Sequence, residues 1–175
     1  MAPPPWTVRE LNALDHDEFV ARLGFLFEGS PWIVAEAWAR RPFADRDELE
    51  RTLVETIETA PKEKQIALIR AHPDLVGRAA LAGTLTREST GEQQAAGLDP
   101  NRLTPDEVAR FAEANAAYKA KFDFPFVICA REHKKESILN GFETRLPNSR
   151  GVEIAAALRE IARIGHYRLI DVVAE

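Results

Sequence analysis

TPDEVARFAEANAAYKAKFDFPFVICA, residues 104–130, decides the fold class. Thr104, Pro105 and Glu107 supply an N-cap, a proline at the first helical position and a carboxylate three residues on, which together open a helix. Val108, Phe111, Ala112, Tyr118 and Phe122 then recur at helical spacing, predicting a long helix with one apolar face. The run that follows, FPFVICA from Phe124 to Ala130, has the composition of a strand. One isolated strand cannot make a sheet, so this segment is predicted to be extended backbone buried beside helices. The fold class expected is all-α.

Upstream the same punctuation repeats. Asp15 and Glu18 form a capping box for a helix through about Phe27, and Ser30 before Pro31 caps another that stops near Pro42. Asp45 caps a helix carrying Leu49, Leu53 and Ile57, and Pro61 opens one that Pro73 closes, with Ile66 and Ile69 on one face. Residues 75–88 read as a mostly irregular loop around a brief helical turn. Ser89 and Glu92 spell S-x-x-E, a capping box for a short helix ended by Gly97. Downstream, residues 132–145 form a helix and Ser149 caps a long last one. The organisation expected is a proline-rich, loosely held arm over Met1–Pro5 and a single helical domain over residues 6–175.

Composition narrows the function classes. The chain has 175 residues, 45% hydrophobic and 29% charged, long enough to bury a substantial core. Its 28 acids and 23 bases give a formal charge of -5, interleaved without a basic block, which argues against nucleic acid or an anionic membrane as the partner. A single cysteine, Cys129, excludes an internal disulfide and a thiolate zinc site. MAPPPW lacks the basic and apolar regions of a secretory signal, and no apolar run approaches the ~20 residues of a bilayer span. The expected compartment is the cytoplasm. No dinucleotide-binding, phosphate-loop or nucleophile-elbow motif occurs, and His16, His133 and His166 are not spaced as metal ligands.

Three side chains stand out. His72 ends its helix, because Pro73 disfavours helical backbone in the residue before it. There the negative end of the helix dipole favours the protonated imidazole by roughly 0.3–1 kcal/mol. Glu92, read as the third residue of its helix, feels the positive end, which favours the carboxylate. Neighbouring groups held in opposite protonation states suit acid/base chemistry; a capping role for each is the alternative. Arg168 lies seven residues after Ile161 on the apolar stripe of the last helix, with Ile154, Leu158, Gly165 and Val172. An inward guanidinium needs an anion, either a structural carboxylate or a ligand's. Cys129, Trp32 and Trp38 read as packing.

The runs AHPDLVGRAA, LTRESTGEQQAAGLD, FDFPFVICAR and RLPNS with Glu153 shortly after, in this order and spacing, resemble the OHCU decarboxylases of uric acid breakdown. The resemblance runs from about Ile69 to Val173. It implies an all-helical homodimer that converts 2-oxo-4-hydroxy-4-carboxy-5-ureidoimidazoline (OHCU) to (S)-allantoin and carbon dioxide, without cofactor or metal. It places the family's catalytic histidine on His72 and substrate contacts on Pro73, on Ser89, Thr90, Gly91 and Gln93, and on Phe124, Pro125, Phe126, Val127 and Ile128. The family's binding arginine falls on Arg168. Two other readings stay open: a different acid/base enzyme acting on a cyclic ureide, and a non-catalytic helical interaction module.

Overall fold

A computed structural model describes residues 5–175; most of the expected N-terminal arm lies outside them. Among the described residues there are ten α-helices, two single 3-10 turns and no strand beyond one isolated bridge, so the chain is all-α as its sequence predicts. Two compact units divide it: residues 1–71 with 162–175, and residues 72–161.

The first unit contains α1 (Val8–Ala13), α2 (His16–Leu23), α3 (Trp32–Trp38), α4 (Arg46–Glu58), α5 (Lys62–Arg70) and the end of α10 (Arg150–Val172). Cap chemistry explains most starts. Asp15 accepts from the Glu18 N–H and Asp45 from the Glu48 N–H, at 2.9 and 2.8 Å. Leu49, Leu53 and Ile57 of α4 are buried, as their four-residue spacing demands. Ser30 departs from its expected role. Pro31 takes the cap position and no side-chain cap bond forms. α1 was not expected from the sequence, although Thr7 and Glu10 make a complete capping box there. Trp6 bridges to the far end of the chain: its N–H donates to Val172 O at 2.7 Å, and its carbonyl accepts from the Ala174 N–H at 2.8 Å.

Along α10 the predicted stripe is buried at Ile161, Gly165 and Arg168. Gly165 is required by packing. A Cβ there would stand 2.6 Å from Cε1 of Phe27.

The second unit contains α6 (Arg78–Ala82), α7 (Arg87–Ala95), α8 (Pro105–Phe122), α9 (Lys135–Arg145) and the first half of α10. α8 opens on the predicted capping box, with Thr104 accepting from Glu107 N and Pro105 at the first position. Its buried side chains are Phe111, Asn115, Tyr118 and Phe122, an apolar stripe interrupted by one amide. The segment after it is buried from Phe124 to Ala130 and runs without helix as far as Cys129, as expected of a lone apolar strip among helices. α9 begins at Lys135, three residues later than expected, because Ala130–Glu132 form a 3-10 turn first.

α7 corrects the sequence reading. Its cap is Thr86, whose Oγ1 accepts from the Ser89 N–H at 3.2 Å. Ser89 is therefore the third residue of the helix, and Glu92 lies in its second turn. Thr86 offers the same cap chemistry one turn earlier, and Arg87 and Glu88 extend a helix readily, so the earlier start wins. Gly97, at φ +83, ends the helix as predicted.

Candidate active site

The shift in α7 changes what presents Glu92. No helix terminus holds it; helical spacing does. Glu92 and Gln93 lie three and four residues after Ser89, and Ala96 four and three after them, so the four share a face. Ser89, Gln93 and Ala96 are buried and Glu92 is half-buried. Thr90 and Gly91 fall on the other side. Thr90 donates its hydroxyl back to Thr86 O at 2.8 Å, and Gly91 is exposed with open space where a Cβ would stand. The stretch Ser89–Gln93 thus contributes a serine hydroxyl, a carboxylate and an amide to one surface, and two small residues to another.

The helix lies beside the end of the strip that follows α8. α7 packs against the turn Ala130–Glu132. Burial, followed by the carboxylates of Glu132 and Glu160 and the field of Glu92, pushes the Cys129 thiol up to about 11. Glu92 is therefore close enough to Cys129 for its charge to be felt there.

The strip itself is held rigidly. The Cys129 N–H donates to Glu160 Oε2 at 2.9 Å, and the Val127 carbonyl accepts from Arg145 at 2.8 Å. Phe126 stacks on Phe142 at 3.9 Å between centroids and meets Tyr118 edge-on at 5.2 Å. Phe124 lies edge-on to Tyr118 at 6.1 Å. A Cβ at Gly141 would contact both Phe126 and Ile128, so those side chains turn toward α9. The two phenylalanine rings are thereby committed to the core. Pro125 and Val127, also buried, alternate with them along the strip.

Beneath this strip is a polar cluster that sequence reasoning did not assemble. Glu153, wholly buried, accepts from the Tyr118 hydroxyl at 2.5 Å, from Arg145 Nε at 2.8 Å and from Asn148 Nδ2 at 3.0 Å. Burial, and then the bond to Glu153, pushes the Tyr118 hydroxyl above the ordinary phenol range. The motif RLPNS with Glu153 carried this cluster in plain view; only Tyr118, from α8, had no sequence signal linking it.

His72 follows the last residue of α5 by two positions, past the C-cap Ala71, and is 8% exposed with its Nε2 buried. Pro73 beside it is half-buried. The turn that follows ties directly to α7, because the Val76 N–H donates to Gln93 Oε1 at 3.1 Å. His72, Pro73, Ser89, Glu92, Gln93 and Phe124–Ile128 all belong to the second unit.

Arg168 belongs to the first unit. Its guanidinium is 2% exposed and donates to Glu28 Oε1 and to Phe25 O, each at 3.0 Å. The anion its inward position demands is present in the fold as Glu28, a partner with no signal in the sequence.

For other chemistry the structure offers little. Among the described residues no three His, Cys, Asp or Glu side chains gather as metal ligands would, and no helix is long and apolar enough to cross a membrane. His166 pairs with Glu50 at 2.8 Å and His16 with Asp17 at 2.9 Å, both as isolated pairs.

Fold and side chains together define an all-helical protein whose second unit carries a buried imidazole, a polar face on α7 and a buried extended strip. Comparison with known proteins gives this class a family. The model of OHCU decarboxylases matches residues 12–170, and the chain belongs to that family. The 2-oxo-4-hydroxy-4-carboxy-5-ureidoimidazoline decarboxylase of Amia calva is 42% identical over 166 residues, covering 95% of this chain and 94% of the relative. Two crystal structures share the fold. An (S)-allantoin synthase aligns with a TM-score of 0.73 at 24% identity, over 96% of this chain and 54% of its own. An OHCU decarboxylase crystallised in the presence of (S)-allantoin aligns at 0.68 and 22% identity, over 89% and 96%.

Proposed function

We propose that this chain decarboxylates OHCU to (S)-allantoin, with His72 as proton donor, Glu92 as proton acceptor and no metal or organic cofactor. The observation that carries the reading is the polar face of α7, Ser89, Glu92 and Gln93, on a helix that packs against the turn Ala130–Glu132 at the end of the strip and is tied through Gln93 to the turn beside His72. An acid, a base and fixed hydrogen-bonding groups on neighbouring elements are what a small polar heterocycle needs for oriented proton transfer.

The chemistry closes without an external electron sink. The carbon that loses carbon dioxide bears a hydroxyl and adjoins a C=N bond. The electron pair of the breaking C–C bond forms a C=C bond, and the former C=N pair moves onto nitrogen, which takes a proton from solvent. Glu92 then accepts the hydroxyl proton as that oxygen becomes the product carbonyl, and His72 protonates the neighbouring carbon from one face. Carbon dioxide leaves, and one net proton is taken up. Delivery from one face gives the S configuration.

Ser89, Gln93 and the backbone of Phe124–Ile128 orient the ring and ureido group, and Pro73 shapes the wall beside the imidazole. Pre-set dipoles of this kind need no rearrangement during the reaction. The resemblance also assigns Arg168 to an anionic group of the substrate; its pairing with Glu28 supports a structural role equally well. We take a homodimer as the assembled form and the cytoplasm as the compartment. A lone, buried thiol suits a reducing environment.

The test is to mix the protein with freshly generated OHCU and follow circular dichroism. The expected result is rapid accumulation of the S enantiomer. Racemic product at the spontaneous rate overturns the reading.

A further inference from the structure

The five residues after His72 form a turn that the chain would not choose for itself. Val76 sits at φ +51, in the left-handed region. A β-branched side chain crowds the backbone there, so the conformation persists only where surroundings impose it. The other non-glycine residue at positive φ among those described, Asp123, ends a helix, where that conformation is common.

Three tethers surround Val76, and each comes from a different residue. Asn115 Nδ2 donates to the Leu75 carbonyl at 2.8 Å. The Val76 N–H donates to Gln93 Oε1 at 3.1 Å. Lys119 Nζ meets Asp74 Oδ2 at 2.5 Å. The turn is also drawn tight: a Cβ on Gly77 would stand 2.5 Å from Cβ of Asp74. Both amide orientations follow from chemistry, since a carbonyl only accepts and a backbone N–H only donates.

Asn115 is the unexpected member. It occupies a place in the apolar stripe of α8, four residues after Phe111 and three before Tyr118, and is 5% exposed. Its Oδ1 is buried with no hydrogen-bond partner. An amide left half satisfied in a core is unfavourable. The one bond it makes, to Leu75, is the structural reason to have it there.

We propose that Asn115 is a positioning residue for the reaction. By gripping Leu75 it holds Val76 left-handed, and that turn in turn fixes two members of the site. One is His72, joined to the turn through the rigid ring of Pro73. The other is Gln93, whose Oε1 is committed to Val76 so that its Nε2 is the end available to a ligand. The inference rests on the decarboxylase reading above and extends it to a residue that touches no substrate.

Replacing Asn115 with leucine removes the grip while keeping the stripe filled. On fresh OHCU, Asn115→Leu is expected to lower kcat/KM by ~10–100-fold, the scale of a mispositioned catalytic group. Adding Val76→Gly should restore most of that loss, because glycine adopts the left-handed turn without a clamp. A merely structural role for Asn115 predicts no such recovery, since glycine at 76 adds no packing. Undiminished turnover by Asn115→Leu, or a loss that Val76→Gly leaves in place, overturns the proposal. Should the leucine variant not fold, Asn115→Ala with and without Val76→Gly gives the same comparison. If neither pair folds, Asn115 serves stability and the proposal falls. Wild-type protein inactive on OHCU refutes the decarboxylase reading itself; active wild type beside an indifferent Asn115→Leu refutes this inference alone.

Discussion

Arg145 Nε donates to Glu153 Oε1 across 2.8 Å, and the carboxylate that accepts is wholly buried. The same arginine grips the Val127 carbonyl from its other side, so an internal ion pair sets the height of the extended strip. Removing one partner of such a pair leaves an uncompensated charge, which typically costs ~3–5 kcal/mol. Glu153→Leu is expected to lower the unfolding free energy by that scale, and the urea midpoint with it, measured by equilibrium denaturation. Glu153→Gln keeps an acceptor for Tyr118 and should cost less. Equal midpoints for both variants would mean that the charge is not what holds the strip.

His72→Asn keeps a planar polar side chain and removes the titrating ring. It should retain the far-ultraviolet dichroism of the wild type while kcat falls by at least ~10²-fold, the usual scale of positioned proton transfer. Glu92→Gln is the matching test of the acceptor. Because Glu92 is not a cap, its loss should cost turnover far more than thermal stability. A variant that loses stability and keeps its rate would return Glu92 to a structural role.

Gly165 lies against the ring of Phe27, with a virtual Cβ 2.6 Å from the nearest carbon. Gly165→Ala gains helix propensity and still should destabilise, since overpacking a well-filled site typically costs ~1–3 kcal/mol. Pairing it with Phe27→Leu should recover part of the loss. A thermal melt of the four proteins decides the matter by double-mutant cycle.

The Cys129 thiol, raised from 9.0 to about 11 chiefly by burial, predicts both reactivity and pH dependence. Below pH 9 the thiol is protonated in folded and unfolded chains, and its contribution is complete. Between pH 9 and 11 the unfolded chain gives up the proton first, so stability declines as pH rises. Tyr118, raised for the same reason, extends the decline upward. Cys129→Ala should flatten the first part of that slope. Iodoacetamide at pH 8 should label native protein slowly and unfolded protein fast; equal rates would contradict the burial.

Much of this was legible from residues alone. The all-α class followed from a lone apolar strip at Phe124–Ala130 with no second strand to pair with, and caps at Asp15, Asp45, Thr104 and Ser149 marked true helix starts. At α7 two cap signals stood one turn apart, and Thr86 prevailed over Ser89 because the residues between them are good helix formers. That error placed Glu92 at a helix start, whereas it lies in the second turn. The partners of buried charge were not legible: Glu28 is 140 positions from Arg168, and Tyr118 is 35 from Glu153. No periodicity reports contacts of that range. Asn115 was visible as a polar residue in an apolar stripe, and Val76 carried no signal, since its sequence preference is for the opposite backbone region.

The stitch at Trp6 has a practical outcome. With its N–H on Val172 and its carbonyl on Ala174, the early and late residues of the chain leave the first unit side by side. A donor and an acceptor dye placed beside Trp6 and beside Val173 would therefore report directly on this clip opening.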